Sequence, residues 1–256
     1  MSAIGTWARC ALLGLTVCGA ALAQSQGGPT GGGPVTPPPG AELDLPLTHP
    51  GEGQPLPTPV DPPVEPPEEL PPVIYGEEIP AEDDTIYYVL DISGSMDWDP
   101  ASYTTLDGQV RTGPRIDRAK AELARSILGL SQNFRFNIIA YDCSTLRWRP
   151  SLQPADDANK QAALAWSLAL YPRGATGTGP ATALGLGDKE NKTVVLLTDG
   201  APNCGASSMS GHRSMIQAAN TQGARVHVFG IAASGSYRAF CQGVAADNGG
   251  AYHDVP

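Results

Sequence analysis

Proline is distributed very unevenly along this 256-residue chain, and its distribution divides the chain into two parts. Seventeen of the 25 prolines lie between residues 24 and 84, together with twelve acidic residues and no Lys or Arg. Apolar residues in this stretch are too sparse to offset the entropy of ordering the backbone. We therefore predict a disordered, acidic Pro/Gly-rich linker over residues 24–84 and a folded domain over residues 85–256.

The charge of the chain follows the same division. The linker accounts for the formal net charge of -10, because residues 85–256 contain 15 basic and 14 acidic residues, a net of +1 without a Lys/Arg cluster. A domain that binds nucleic acid normally has a basic patch, so we expect no nucleic-acid partner. The sequence also lacks an apolar run of the roughly 18 to 20 residues that a transmembrane helix needs.

The first 23 residues have the pattern of a secretory signal peptide. Arg9 precedes an uncharged, mostly apolar run that ends in Ala-Leu-Ala at residues 21–23, the form of a cleavage site. We therefore predict an exported protein, either periplasmic, on the cell surface or secreted. A lipoprotein cleaved before Cys18 is the alternative, although the residue before that cysteine is larger than is usual in such sites.

The remaining chain alternates short apolar runs with amphipathic ones, which is typical of a mainly parallel sheet flanked by helices. Continuous apolar runs predict buried parallel strands, here at residues 86–91, 134–142, 193–198 and 225–231, with a short final strand at 251–255. A run at 146–152 follows the second strand so closely that it predicts an antiparallel partner. Helices are predicted at residues 114–129, 155–170, 179–187, 210–221 and 236–247. The expected fold class is doubly wound α/β, with a six-stranded sheet that contains one antiparallel strand.

Oxygen-bearing side chains follow the first predicted strand. Asp91, Ser93 and Ser95 alternate along the chain, and alternate residues of an extended backbone point to one side. Ligands of open α/β sheets bind at the carboxyl ends of the strands, and a carboxylate with two hydroxyls suits a hard divalent cation such as Mg²⁺.

Two further segments offer oxygen donors at the same edge of the sheet. Asp199 ends the apolar strand at 193–198, and a Gly/Thr-rich stretch over residues 174–180 opens the third helix. This stretch is not a dinucleotide fingerprint, because Thr182 stands where the third glycine belongs and a helix rather than a strand precedes it.

Together these motifs resemble those of the von Willebrand factor type A (VWA) domain with its metal ion-dependent adhesion site. That pattern is D-x-S-x-S after the first strand, a threonine in a glycine-rich loop and an aspartate after the fourth strand. The resemblance implies a Rossmann-like VWA fold over residues 85–256. It also implies a set of metal ligands, namely Asp91, Ser93, Ser95, Thr178 and Asp199, with Thr176 as the alternative threonine.

The resemblance further implies binding rather than catalysis. The cation, Mg²⁺ or alternatively Mn²⁺ or Ca²⁺, would bind an Asp or Glu presented by a partner protein, and we expect a monomer. Two other functions remain open: a metal-dependent phosphoryl-transfer or hydrolytic enzyme, and a structural envelope protein in which the metal stiffens the loops.

The chain departs from the family pattern in two places. The loop from residue 97 to 113 is longer than usual, and its Asp97, Trp98 and Tyr103 are candidates for partner contact; a surface insertion without function is the alternative. Related adhesion domains usually have a further helix after the sixth strand. We therefore expect no switch driven from the C-terminus, and we expect residues 70–84 to cover part of the surface that this helix would occupy, with residues 70–79 adding a strand.

Three cysteines follow the predicted signal peptide, and export permits a disulfide between two of them. Cys204 follows the fourth strand and Cys241 lies in the helix after the fifth. Because adjacent strands bring these segments together, we predict a Cys204–Cys241 disulfide and a buried, free Cys143.

Overall fold

The computed structural model describes residues 71–81, 83–200 and 202–256. The predicted signal peptide and most of the predicted linker lie outside these residues, so both remain predictions.

The central sheet has the predicted α/β form. Its six main strands within the described residues are β3 (Thr85–Asp91), β6 (Arg135–Tyr141), β7 (Thr145–Arg147), β9 (Thr193–Thr198), β10 (Arg225–Ile231) and β11 (Tyr252–Val255). They lie in the order β11-β10-β9-β3-β6-β7, and only β7 pairs antiparallel within this series. The predicted strand at 146–152 is shorter than expected: a separate strand, β8 (Gln153–Pro154), also pairs antiparallel with β6.

A buried amide explains this interruption. The side chain of Asn137 on β6 donates to the carbonyl oxygens of Arg149 and Ser151, at 2.9 Å and 2.8 Å. These bonds hold the chain away from the sheet around Pro150, which has no N–H to donate to a strand ladder.

Within the described residues, five helices cover the sheet, each within about two residues of its predicted bounds. They are α1 (Arg115–Gly129), α2 (Asp157–Leu168), α3 (Thr178–Leu186), α4 (Met209–Ala219) and α5 (Gly235–Asp247). Alternate side chains of β3 enter two cores: Tyr88 packs in the core with α1 and α2, and Tyr87 in the core with α3, α4 and α5.

Residues 73–81, at the end of the predicted linker, pack on the domain. β1 (Val73–Ile74) and β2 (Glu77–Glu78) form an antiparallel hairpin, whose turn residues Tyr75 and Gly76 both have positive φ, as tight hairpin turns require. Ile74 and Ile79 are fully buried in the core that contains α1 and α2. The segment therefore covers part of the domain, but it pairs with itself instead of adding a strand to the sheet.

The long loop after β3 contains regular secondary structure. After a short 3-10 turn (Gly94–Asp97), β4 (Ala101–Thr104) and β5 (Val110–Gly113) form an antiparallel hairpin next to α1. Asp107-Gly108, with Gly108 at positive φ, is a hairpin turn signal in the sequence.

Candidate metal site and its cleft

Asp91, the last residue of β3, is fully buried and already well hydrogen-bonded. Its Oδ1 accepts from the backbone N–H of Ser93 at 2.8 Å. Its Oδ2 accepts from Thr198 Oγ1 at 2.6 Å and from the Tyr141 hydroxyl at 3.1 Å. Burial, together with the negative charge of Asp199, raises the pKa of Asp91 to about 6. Asp91 thus organises the strand ends around it.

The two serines lie next to this carboxylate on a loop with close backbone contacts. The Oγ atoms of Ser93 and Ser95 are 3.3 Å apart. Between them, the N–H of Gly94 donates to the carbonyl oxygen of Gly174 at 3.1 Å, and a Cβ on Gly94 would lie 3.3 Å from that oxygen. The lack of a side chain on Gly94 therefore allows the loop after β3 to lie against the glycine-rich loop before α3.

Asp199, which follows β9, has different surroundings. Its Oδ2 forms a 2.8 Å ion pair with Nη1 of Arg115, the first residue of α1, and the same guanidinium also pairs with Asp99. Its Oδ1 is buried and has no hydrogen-bond partner among the described residues. A buried carboxylate oxygen of this kind needs a cation or a donor to offset its desolvation.

The two candidate threonines occupy different positions. Thr178 is fully buried at the start of α3, where its hydroxyl and that of Tyr141 are within hydrogen-bond distance, 3.3 Å apart. Thr176 borders the same cleft as Ser95 and Asp199. Both threonines are buried, and of the two only Thr176 is among the residues that line the cleft.

The cleft above these groups has a volume of about 460 Å³. Trp98 and Tyr237 border it, and both are exposed. Of the other candidates for partner contact, Tyr103 lines a separate cavity of about 360 Å³ beside α1, and Asp97 is exposed outside the cleft lining. The structure therefore brings only Trp98 of this group to the candidate site.

The family model of the von Willebrand factor type A domain matches residues 111–254. The chain belongs to this family. Its VWA domain has no cluster of three or more His, Cys, Asp or Glu able to hold a metal within the described residues.

Curated relatives and solved structures agree with this assignment. Human inter-alpha-trypsin inhibitor heavy chain H4 is 27% identical over 177 residues, which are 64% of this chain and 17% of that protein. The human von Willebrand factor A domain-containing protein 3B is 26% identical over 122 residues, 47% of this chain and 8% of that protein. The chain spans less than a fifth of the length of either relative.

Two solved structures share the fold. A von Willebrand factor type A structure from Catenulispora acidiphila has a TM-score of 0.52 at 18% identity, covering 67% of this chain and 38% of that one. The pilus adhesin SpaC from Lactobacillus rhamnosus GG has a TM-score of 0.52 at 18% identity, covering 67% of this chain and 28% of that one.

The predicted disulfide is wrong. Cys143 is bonded to Cys204, with Cα atoms 5.8 Å apart, and Cys241 is buried and free. The chain after β9 passes over the glycine-rich loop, where the N–H of Cys204 donates to the carbonyl oxygen of Thr176 at 3.1 Å. The next residue of that loop, Gly177, donates its N–H to the carbonyl oxygen of Asp142 at 2.8 Å. The glycine-rich loop thus brings Cys204 next to Cys143. The prediction was based on neighbouring strands, which fix the position of the strand ends but not the path of the chain beyond them.

Cys241 lies on the buried side of α5. A Cβ on Gly200 would lie 2.8 Å from its Sγ, and burial raises the pKa of its thiol to about 12.

In the described part of the chain, no helix is long and apolar enough to cross a membrane.

Proposed function

We propose that this VWA domain is an exported, metal-dependent protein-binding module that captures an Asp or Glu of a partner through a divalent cation. The pilus adhesin among the structural neighbours is consistent with a binding role. The observation that carries the proposal is the free Oδ1 of Asp199, buried beside a cleft that Ser95 and Thr176 also border.

The donors present fit Mg²⁺, which takes oxygen ligands and commonly keeps several waters. Mn²⁺ and Ca²⁺ accept the same donor types. Ser93 and Ser95 would contribute hydroxyls, Asp199 its free oxygen, and Asp91 would hold the loop in place while acting mostly through water. Few direct negative charges would leave the cation electrophilic enough to accept a carboxylate from outside.

The lining of the cleft supports Thr176, rather than Thr178, as the threonine that contributes a hydroxyl. Comparing Thr176→Val with Thr178→Val tests this choice by isothermal titration calorimetry with Mg²⁺. We expect Thr176→Val to weaken Mg²⁺ binding more, because the Thr178 hydroxyl is already bonded to Tyr141. A larger loss of affinity in Thr178→Val would return the assignment to Thr178.

A thermal shift experiment tests metal binding itself. Mg²⁺ should raise the melting temperature of the wild-type chain, since a ligand that binds only the folded state stabilises it. Asp199→Ala should abolish this rise, and Asp157→Ala, which removes an exposed acid on α2, should retain it. An equal response of all three proteins would contradict the proposal.

We propose no catalytic role. Within the described residues, no His or Lys hydrogen-bonds the hydroxyl of Ser93 or Ser95; the two hydroxyls contact each other. A serine nucleophile would need a base at that distance.

A further inference from the structure

Exposed aromatic side chains are concentrated at the cleft. Three aromatic residues are exposed within the described part of the chain: Trp98 (64%), Tyr171 (62%) and Tyr237 (42%). Trp98 and Tyr237 both border the cleft, and Tyr171 does not. Exposed Trp and Tyr on a binding surface are the residue types that most often dominate binding energy.

The backbone holds Trp98 in place although its side chain is exposed. Its N–H donates to the carbonyl oxygen of Ser95 at 3.2 Å, and its own carbonyl oxygen accepts from the N–H of Arg115 at 3.1 Å. Both partners border the cleft themselves. The indole is therefore presented from a fixed backbone, which lowers the entropy lost when it contacts a partner.

Tyr237 is held on the other side of the site by α5. A Cβ on Gly200, the residue after Asp199, would lie 2.8 Å from the Tyr237 carbonyl oxygen. The first turn of α5 can approach Asp199 this closely only because residue 200 is a glycine. Trp98 precedes α1 and Tyr237 belongs to α5, and these helices pack against different cores, so the two rings border the cleft from different sides.

The charged residues that line the cleft do not oppose an anion between these rings. Asp199 is the one carboxylate among the residues that line it, and its Oδ2 is paired with Arg115. The guanidinium offsets the repulsion that Asp199 alone would exert on an acidic partner.

We infer that the cleft binds an extended polypeptide segment in which an Asp or Glu is flanked, two residues away on each side, by large apolar side chains. In an extended chain, the side chains of residues i-2, i and i+2 point to the same face. The carboxylate of residue i would therefore point into the cleft toward Asp199 and Ser95, while the apolar side chains on either side contact Trp98 and Tyr237. This inference rests on the proposed function, because the carboxylate is the group that the cation would bind.

Three end-blocked heptapeptides test the inference by fluorescence anisotropy with the full chain in Mg²⁺. They are Gly-Leu-Gly-Asp-Gly-Leu-Gly, its all-glycine analogue Gly-Gly-Gly-Asp-Gly-Gly-Gly, and the Leu peptide with Asn in place of Asp. We expect the Leu peptide to bind about tenfold more tightly than the glycine analogue. The Asn peptide should lose Mg²⁺-dependent binding.

Substitutions of Trp98 and Tyr237 test whether these two rings account for the higher affinity of the Leu peptide. Trp98→Ala and Tyr237→Ala should each reduce the affinity for the Leu peptide several-fold, about as much as an interface hot spot contributes. Trp98→Phe should retain most of it, and Tyr171→Ala is the matched control that should change nothing. Mg²⁺ affinity by calorimetry should be the same in all these variants, which also shows that they are folded.

The outcomes separate this inference from the proposed function. Equal binding of the Leu and glycine peptides, with Mg²⁺ still required, would overturn the inference alone, as would full affinity in Trp98→Ala and Tyr237→Ala. Binding of the Leu peptide that persists in chelator and in Asp199→Ala would contradict the proposed function. Failure of all three peptides to bind would also overturn the inference.

Discussion

The cleft and the sheet face beneath residues 73–81 both bury polar atoms that have no hydrogen-bond partner, but in different surroundings. In the cleft, the atom is the Oδ1 of Asp199, next to hydroxyl groups and an open cavity. On the sheet face, the atoms are the Nε2 atoms of His227 and His253. The ring of His253 stacks on Phe229 at a centroid distance of 4.5 Å, and Tyr75 lies against the same phenylalanine at 6.0 Å.

The difference shows that an unpaired buried polar atom indicates a ligand site only where a cavity gives a ligand from solution access to it. A carboxylate oxygen beside a cavity can be satisfied by a cation from solution. The imidazoles lie under residues 73–81, where the carboxylate of Glu77 is 3.7 Å from Nδ1 of His253. No metal cluster includes them in the part of the chain that the structure describes, and burial lowers the pKa of both rings, which favours their neutral form. We therefore expect the cleft to control binding and the covered face to control stability, independently of each other.

The largest expected effect comes from the segment that covers the sheet face. Ile79→Ala should lower the free energy of unfolding by about 3–4 kcal/mol, because it removes a fully buried side chain from the core. Val73→Ala, in the same segment but 41% exposed, should cost less than about 1 kcal/mol. Urea denaturation in chelator measures both, and calorimetry should show unchanged Mg²⁺ affinity. Equal, small losses would mean that the segment does not stabilise the domain.

The two aspartates of the cleft should separate stability from binding. Asp91→Ala removes the acceptor of three hydrogen bonds in a fully buried position, so we expect a loss of about 3 kcal/mol in chelator. Asp199→Ala should cost no more than about 1 kcal/mol, because Arg115 keeps its ion pair with Asp99. Both variants should lose the stabilisation by Mg²⁺ in the same denaturation experiment. If Asp199→Ala were as destabilising as Asp91→Ala, Asp199 would have a structural role that its free oxygen does not indicate.

The parts of the fold that the sequence predicted are those in which local pattern and burial agree. The strand at 193–198 was predicted with its observed bounds because a run of Val and Leu buried on both faces is unambiguous. The D-x-S-x-S motif and Asp199 were predicted to converge because the carboxyl ends of parallel strands share one edge. The structure brings them to that edge.

The parts that were missed depend on contacts between distant segments. The Cys143–Cys204 bond depends on how the chain after residue 200 crosses the glycine-rich loop, which no local pattern describes. The ion pair between Arg115 and Asp199 joins residues that are distant in sequence, so the helical pattern of α1 does not reveal that Arg115 pairs with Asp199. The hairpin at 101–113, by contrast, has a local turn signal in Asp107-Gly108.

A pH dependence of stability should come from the covered face. Burial lowers the pKa of His227 to about 4, and the charge of His253 acts in the same direction. Between about pH 6.5 and 4 the unfolded chain therefore binds more protons than the folded one, and stability falls as the pH falls, by at most about 2–3 kcal/mol from this group.

Denaturation of the wild-type chain and of His227→Phe at pH 7 and pH 4.5 measures this dependence. The variant should lose less stability between the two values, because it removes the titrating group and keeps a ring in the core. The Mg²⁺-free proteins are compared, so that cation binding does not contribute. An identical loss in both would assign the acid sensitivity to other groups.

The smallest expected effect concerns the guanidinium of Arg115, which pairs with Oδ2 of Asp199 and leaves Oδ1 of the same carboxylate free. Arg115→Gln removes a positive charge that pairs with Asp199, and this charge should oppose a cation that binds to the same carboxylate. The side chain of Arg115 is 11% exposed, so solvent screens the repulsion only in part, and we expect Mg²⁺ affinity by calorimetry to rise about three- to tenfold. Arg115→Lys keeps the charge and should behave like the wild-type chain. Weaker Mg²⁺ binding in Arg115→Gln would show instead that Arg115 orients Asp199 for the cation, so that the ion pair belongs to the metal site and does not compete with it.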